Sequence, residues 1–361
     1  MIIGRGGQAG AEPPFVSTGR LPPPAVVADL VRSAHRRYAG DDSGALSTVY
    51  PALTRVPPGL FGVAATGTSG DTYAAGDADV LFSIMSIAKP FVFALICDAI
   101  GADEARRAIG VNATGMAFNS LAAVENGPGG RTNPMVNPGA IATTSLAPGA
   151  TPQDRWDFLA DGLSRFAGRP LDLDAAMYES ASRSNQRNRA MVHLLDGYGG
   201  IGGDAAEALD LYTRQSSLLV SARDLAVMGA TLADGGLNPT SGVQVLSAES
   251  CRCALAVMTT AGLYETSGDW LYDVGLPGKS GIGGGIVTVS PGKGGLGTFA
   301  PLLDEAGNSV KGQLASAYLS RRLGLDLFAS QAADGIWRPG SEPPDERDQP
   351  DSDHQEPDDH G

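Results

Sequence analysis

Phe82-Ser-Ile-Met-Ser86-Ile-Ala-Lys89 and the late segment Lys279-Ser280-Gly281 decide the fold prediction for this chain. The chain contains only four lysines, and two of them stand in these two segments. An arginine stays protonated in proteins, whereas a buried lysine can lose its proton and act as a base. The position of the lysines therefore favours chemistry that needs an amine rather than a guanidinium.

The order Ser-x-x-Lys early and Lys-Ser/Thr-Gly late is typical of serine enzymes built on the β-lactamase and penicillin-binding-protein plan. Pro90 is tolerated only in the first turn of a helix, which places the helix start near Ser86. The positive end of the helix dipole would then favour a developing alkoxide on Ser86. Lys89 lies on the same face, about 5–6 Å away between Cβ atoms. A neutral Lys89 could take the proton of Ser86.

Ser-x-x-Lys alone is a weak pattern, because a serine that caps a helix and a surface lysine would give it too. The late Lys-Ser-Gly motif favours the catalytic interpretation. Ile282-Gly-Gly-Gly-Ile286 follows it, and glycines would let a substrate lie close to a strand. An exposed backbone N–H there, together with that of Ser86, would form an oxyanion hole. The alternative for the glycines is a bulged edge strand.

Composition narrows the class of protein. The net charge of −14 and the absence of a basic patch argue against nucleic acid as a partner. The longest apolar run, Pro90 to Ile100, is shorter than the roughly 20 residues that span a bilayer. The N-terminus lacks a signal-peptide hydrophobic region, and the three cysteines have no zinc or disulfide spacing. We therefore expect a cytoplasmic protein with no membrane partner, no metal and no cofactor.

The chain divides into a body and two tails. Residues 1–24 and 338–361 are rich in Gly, Pro or acidic residues and are predicted to be disordered, which leaves 25–337 as the catalytic domain. Hairpin patterns near both ends of the body, helical patterns between them and a terminal helix predict an antiparallel sheet flanked by helices, with a helical subdomain. The fold class is α/β, more exactly α+β. Residues 110–150 are predicted to be rich in loops.

Several longer segments resemble the glutaminase family, the serine-dependent glutamine amidohydrolases with a β-lactamase-like fold. The resemblance runs from about residue 25 to 330. Besides the two motifs above, it is carried by these segments: Gly115-Met-Ala-Phe-Asn-Ser120, Asn133-Pro-Met-Val-Asn-Pro-Gly-Ala-Ile141, Arg187-Asn188, Tyr212 with Gln215-Ser216, and Tyr264-Glu-Thr-Ser-Gly268.

The resemblance implies catalytic roles for three residues. Ser86 would be the nucleophile and Lys89 its base. Tyr264 would relay a proton to the leaving ammonia. The backbone of Ile282, where the family usually has Val, would complete the oxyanion hole.

The same resemblance implies a binding set. Asn137 would bind near the scissile amide, Asn188 and Tyr212 would line the pocket for the amino-acid end, and Tyr50 would lie over the pocket. Each has an ordinary alternative, such as a turn asparagine for Asn137 or a half-buried aromatic for the tyrosines. Tyr50 directly precedes Pro51, whereas the family has one residue between them.

One departure from the family pattern is chemically serious. The family has a Glu seven residues before Asn188, which pairs with the α-ammonium of the substrate, and here that residue is Ala181. Glu179 is the nearest acid and is the candidate replacement, provided that a shifted loop lets it point inward. A helix would direct Glu179 elsewhere.

The predicted function is hydrolysis of L-glutamine to L-glutamate and ammonia by a homo-oligomer, either a dimer or a tetramer. A β-lactamase or peptidase on the same skeleton is a less favoured alternative. The absence of a Glu at residue 181 keeps open a degenerate member of the family that binds an amino acid or hydrolyses a different amide.

Overall fold

A five-stranded antiparallel sheet, in the order β2-β1-β7-β6-β5, forms the centre of the structure. The computed structural model describes residues 19–329. The strands are β1 Gly62–Gly67, β2 Thr72–Gly76, β3 Phe82–Ser83, β4 Leu219–Val220, β5 Gly278–Ser280, β6 Gly285–Ser290 and β7 Gly294–Phe299. β3 and β4 form a separate two-stranded pair.

Helices make up most of the remainder. They are α1 Pro24–Tyr38, α2 Ala88–Ile100, α3 Ala102–Ile109, α4 Ala122–Asn126, α5 Asn137–Ser145, α6 Pro152–Ala167, α7 Ala175–Ser184, α8 Gln186–Gly197, α9 Ala205–Ser216, α10 Ala222–Ala233, α11 Ala248–Ala261, α12 Ser267–Val274 and α13 Val310–Arg322. Short 3₁₀ turns occur at Leu53–Arg55, Met85–Ile87, Pro128–Gly130 and Tyr264–Thr266.

The sheet joins the two ends of the sequence. The β1–β2 hairpin pairs with the β6–β7 hairpin through β1 and β7, with Val63 opposite Thr298 and Gly62 opposite Phe299. β5 forms the outer edge beside β6, with Lys279 opposite Val287. The two predicted hairpins are therefore present, and together they form most of one antiparallel sheet.

Each face of the sheet is covered by helices. α10 packs on one face, where Val287 and Val289 belong to the larger apolar core. α1 and α13 pack on the other face, against Ile286 and Leu296. A side chain at Gly297 would overlap the carbonyl oxygen of Ala222, so glycine on β7 lets the backbone of α10 approach the strand directly.

α2 is the central helix of the larger core. Ten of its residues are buried, from Ala88 to Cys97, and it packs against α3, α5, α6 and α11. A second helical cluster joins α5, α8 and α9 through residues such as Ile141, Met191 and Leu209. These helices form the predicted helical subdomain beside the sheet.

The described chain begins and ends at the same turn. Gly19 lies against the side chain of Lys293 in the β6–β7 turn, and Lys293 Nζ donates to the carbonyl of Gly324 at 2.7 Å. Leu21 packs against the α1–α13 core, so this part of the predicted tail 1–24 contacts the body. The rest of that tail, residues 1–18, and the tail 338–361 lie outside the described residues. Residues 19–327 belong to one compact unit, and only residues 328 and 329 of a second unit are described.

The loop-rich interpretation of residues 110–150 was wrong for two segments. α4 and α5 both lie there, and α5 is buried along its whole length. Its sequence, Asn-Pro-Gly-Ala-Ile-Ala-Thr-Thr-Ser, has low helix propensity. Hydroxyl groups inside it bond back to helix carbonyls, as Thr143 does to Gly139 at 2.7 Å. Tertiary burial rather than local preference therefore makes this segment helical.

Candidate active site

Ser86 lies in the 3₁₀ turn Met85–Ile87 that leads into α2. The helix begins two residues later than predicted, and Pro90 occupies its first turn as expected. Met85 has φ +51°, and the only other non-glycine residue with positive φ among residues 19–329 is Tyr264, at +56°. Such conformations cost energy in non-glycine residues and cluster at functional sites. Both strained residues adjoin or belong to the predicted catalytic set.

The glycines after β5 form a tight turn against the Ser86 segment. Gly281 N donates to Gly285 O at 3.0 Å, and Gly284 N donates to Gly281 O at 2.9 Å. A Cβ at Gly281 would lie 3.1 Å from the carbonyl oxygen of Ile84. Because glycine has no side chain, this turn can pack on the backbone that precedes Ser86. Ile282, in the same turn, lines the same cavity as Ser86.

Lys89 follows Ser86 by one helical turn and is almost completely buried, with 2% of its surface exposed. Its Nζ donates to Asn137 Oδ1 at 2.7 Å and to the carbonyl of Met135 at 3.4 Å. Burial lowers the pKa of Lys89 to about 7. A large fraction of this amine is therefore neutral at neutral pH.

Asn137 connects Lys89 to the remaining polar residues of the cavity. Its Oδ1 also accepts from the Tyr212 hydroxyl at 3.2 Å, and its Nδ2 donates to Asn188 Oδ1 at 3.0 Å. The Asn188 side chain is also near enough to the Tyr50 hydroxyl to oppose the rise in pKa that burial causes there. Lys89, Asn137, Tyr212 and Asn188 thus belong to one connected hydrogen-bond network.

Two tyrosine hydroxyls approach the Ser86 hydroxyl. Ser86 is near enough to the Tyr212 and Tyr264 hydroxyls to oppose the rise in pKa that burial causes in both phenols, and the Tyr264 hydroxyl donates to the carbonyl of Ser280 at 3.3 Å. Burial raises the pKa of Tyr264 to about 12 and that of Tyr212 well above its usual value. Both phenols are therefore protonated at neutral pH and can donate.

Lys279 of the late motif lies beneath Tyr264. Its Nζ is 4.1 Å from the centroid of the Tyr264 ring and donates to the carbonyls of Gly262 and Ser280, each at 2.8 Å. Burial, and secondarily the charge of Lys89, lowers the pKa of Lys279 well below its usual value. Lys279 thus supports the ring of Tyr264 rather than lining the cavity.

A cavity of about 130 Å³ lies beside these side chains, and Lys89 and Tyr264 are not among the residues that line it. Its walls include Tyr50, Ser86, Asn137, Asn188, Tyr212 and Ile282 from the predicted set.

The structure does not bring Glu179 to the cavity. Glu179 and Ala181 are both on α7, and residues two apart on a helix point in very different directions. Glu179 forms an exposed ion pair with Arg183, whereas Ala181 lines the cavity. The candidate role of Glu179 as the replacement acid is therefore corrected: α7 is regular here, and no shifted loop turns Glu179 inward.

Sequence reasoning missed three contributors. The carbonyl of Met135 accepts from Lys89, the ring of Phe118 packs on Tyr264 with centroids 4.5 Å apart, and Asn185 lines the cavity. Met135 and Phe118 fall inside segments that carried the family resemblance, which was the available signal. A backbone carbonyl has no sequence signature, and Asn185 stood out in no motif.

The fold and the site together define a class of protein. A buried Ser-x-x-Lys turn beside the edge strand of an antiparallel sheet, with a helical region on the other side, is the arrangement of β-lactamase-like serine enzymes. Within residues 19–329, no cluster of three or more His, Cys, Asp or Glu residues could hold a metal ion. None of the helices described there is both long and apolar enough to cross a membrane.

Comparison with known proteins specifies the family. Residues 44–328 match the Glutaminase family. "Glutaminase 2" of Yersinia pestis is 64% identical over 317 residues, covering 88% of this chain and 93% of that protein. The solved structure of the probable glutaminase ybaS superposes with a TM-score of 0.83 at 40% identity, covering 85% of this chain and 99% of that one. The structure of Mglu in its L-glutamate binding form is 37% identical with a TM-score of 0.79, covering 84% and 68% of the two chains. This chain belongs to the glutaminase family.

Proposed function

We propose that this protein hydrolyses L-glutamine to L-glutamate and ammonia, with Ser86 as the nucleophile and Lys89 as its base. The observation that carries the proposal is that buried Lys89 donates to Asn137, which also accepts from Tyr212, and that Asn137, Tyr212 and Ser86 line one cavity. Family membership supports glutamine as the substrate. The L-glutamate bound by Mglu corresponds to the expected product.

In the first half of the reaction, Ser86 Oγ forms a bond to the side-chain amide carbon of glutamine. The proton of Ser86 passes to neutral Lys89, which the low pKa of this buried amine favours. Backbone N–H groups of Ser86 and Ile282 would stabilise the oxyanion. The carbon–nitrogen bond then breaks as Tyr264 delivers its proton to the leaving ammonia and takes up the proton held by Lys89, which returns the lysine to its neutral form.

In the second half, water attacks the γ-glutamyl ester and releases L-glutamate and Ser86. Lys89 takes a proton from that water and passes it to Ser86 Oγ as the ester bond breaks, because the same base serves both half-reactions. Asn137 holds the amide end of the substrate near Ser86, Asn188 and Tyr212 bind the amino-acid end, and Tyr50 lies over the pocket. The hydrogen bonds of Asn137 to Asn188 and Tyr212 hold these three side chains in place before substrate arrives.

The assembly and the cellular location also belong to this proposal. We expect a homo-oligomer, a dimer or a tetramer, in the cytoplasm, as the resemblance to the family favours. Light scattering coupled to size-exclusion chromatography gives the number of subunits directly. A monomeric mass would contradict the expected assembly without affecting the chemistry.

The deciding experiment measures ammonia release from glutamine by the wild type, Ser86→Ala, Lys89→Ala and the double variant. Each single variant should lose nearly all turnover while it stays folded. The double variant should be hardly worse, because residues that act as one unit are strongly non-additive. A chromogenic β-lactam serves as the second substrate. Substantial activity in Ser86→Ala, or β-lactam turnover without glutamine turnover, would refute the proposal.

A further inference from the structure

One residue that lines the cavity carries a buried oxygen atom that has no hydrogen-bond partner. Asn185 Oδ1 lacks a partner in the structure, and only 6% of the Asn185 surface is exposed. The residue lies at the junction of α7 and α8 and lines the same cavity as Ser86. Buried polar atoms are almost always hydrogen-bonded, so an unpaired one at a cavity needs an explanation.

A neighbouring hydroxyl fixes the orientation of the Asn185 amide. Thr213 Oγ1 donates its single proton to the carbonyl of Leu209 at 2.8 Å, so it can only accept from Asn185. The nitrogen of Asn185 therefore faces Thr213, at 3.4 Å, and the oxygen is left for another donor. The unpaired acceptor is thus a consequence of the surrounding bonds and not of an arbitrary amide orientation.

The cavity offers no negative charge to a cationic ligand. Among the described residues that line it, none is Asp or Glu, and Arg187 is positively charged. Ala181 leaves its part of the wall apolar and small, and Glu179 is paired with Arg183 on the exposed side of α7. An ammonium group that enters this cavity must therefore be met by neutral oxygens.

We propose that Asn185 is a specificity-determining residue whose side-chain oxygen accepts a hydrogen bond from the α-ammonium of the substrate. This inference rests on the proposed function, because it assumes that the side-chain amide of glutamine faces Ser86. The α-carboxylate of glutamine only accepts hydrogen bonds and the α-ammonium only donates them. The ammonium is therefore the substrate group that matches the unpaired oxygen.

A neutral acceptor gives a different substrate range from a carboxylate. It holds an ammonium less strongly, because a hydrogen bond between two charged groups is stronger than one with a single charge. It also leaves no unpaired negative charge behind when the ammonium is absent. We therefore infer that the enzyme also hydrolyses glutaramate, the glutamine analogue without an α-amine, with a kcat/KM within about 100-fold of that for glutamine.

The test compares the two substrates in three forms of the enzyme. Asn185→Ala should lower kcat/KM for glutamine by about 10- to 100-fold and change that for glutaramate by less than about threefold. Gln186→Ala, at the adjacent exposed position, is the matched control and should change neither. Equal losses for both substrates, or no loss with glutamine, would overturn the role of Asn185.

Two further variants keep the test decisive if Asn185→Ala does not fold. Asn185→Asp places a charge where the neutral oxygen lies and should raise the preference for glutamine over glutaramate by about tenfold or more. Ala181→Glu supplies a carboxylate that can meet the ammonium. In that background, Asn185→Ala should lower kcat/KM for glutamine much less than it does in the wild type. The inference would be contradicted if Asn185→Asp left the substrate preference unchanged. It would also be contradicted if Asn185→Ala lowered kcat/KM for glutamine as much in the Ala181→Glu background as in the wild type.

Calorimetric binding of L-glutamate and of glutarate separates this inference from the proposed function. If no ammonia is released from any amide, the proposed function fails. The wild type should nevertheless bind L-glutamate more tightly than glutarate, and Asn185→Ala should remove that difference. Equal binding of the two ligands by the wild type, or binding of neither, would overturn the assignment of Asn185.

Discussion

Lys89 carries the clearest pH-dependent prediction at the scale of the single residue. Its pKa is lowered by burial to about 7, and only the neutral amine can accept the proton of Ser86. We expect kcat/KM to rise about tenfold per pH unit below pH 7 and to level off above it. Steady-state kinetics between pH 5.5 and 9 test this, and a profile that is flat across pH 6–8 would argue against Lys89 as the base.

The same shift predicts the direction of a change in stability. A lysine in the unfolded chain has a pKa of about 10.4, so between about pH 7 and 10 the unfolded state binds the proton that folded Lys89 lacks. Its contribution to the free energy of unfolding therefore increases as pH rises through this range. Lys89→Met should raise the melting temperature at pH 7 by about 2 °C or more while abolishing turnover. A lower melting temperature would show that the bonds of Lys89 to Asn137 and Met135 outweigh its desolvation.

Tyr264 provides a second prediction at this scale. Tyr264→Phe should lower kcat by about 10²- to 10⁴-fold and change KM much less, because its hydroxyl moves a proton in the transition state. Tyr272→Phe, a change eight residues later at a side chain with 91% exposure, is the control and should be silent. An effect confined to KM would reassign Tyr264 to substrate binding.

The sequence predicted which residues lie at the cavity better than it predicted their backbone conformations and hydrogen bonds. Ser86, Asn137, Asn188 and Tyr212 could be named from motifs, because each motif keeps its spacing. The strained φ of Tyr264 and the unpaired oxygen of Asn185 could not be predicted, since both depend on contacts between segments far apart in the chain.

At the scale of the element, the contact between α10 and β7 depends on glycine. Gly297→Ala would place a methyl group on the Ala222 carbonyl, so we expect a loss of about 3 kcal/mol or more in the free energy of unfolding. Gly268→Ala is the matched control. Gly268 lies in α12 with open space around its Cβ position, and alanine there should stabilise by up to about 1 kcal/mol.

Denaturant unfolding of both variants measures the difference. Similar stability of Gly297→Ala and the wild type would mean that α10 can shift away from the sheet without cost.

Elements with strong local patterns could be predicted from the sequence, and buried ones could not. α6 has strong local signals at both ends, because Thr151 and Asp154 form a capping box before it and Gly168 adopts the left-handed conformation after it. α5 has no amphipathic pattern, because it is buried on every side. A pattern that is polar on one face exists only where one face meets water.

For the whole molecule, the two tails supply the prediction. A chain restricted to residues 19–337 should keep the melting temperature and kcat of the full chain. The removed segments are rich in Gly, Pro and acidic residues and offer little apolar surface. The cut precedes Gly19 because Leu21 packs against the α1–α13 core. Aggregation or loss of turnover in the shortened protein would show that a removed segment contributes to the body.

Gly19, where the described residues begin, and Gly324 both contact Lys293 in the turn between β6 and β7. The turn that carries Ile282 lies at the other end of β6, and a six-residue strand is roughly 20 Å long. A linker attached at Gly19 would therefore lie at the opposite end of β6 from the cavity residue Ile282. Ammonia-sensing devices built on this enzyme could be coupled at Gly19 without obstructing the diffusion of glutamine.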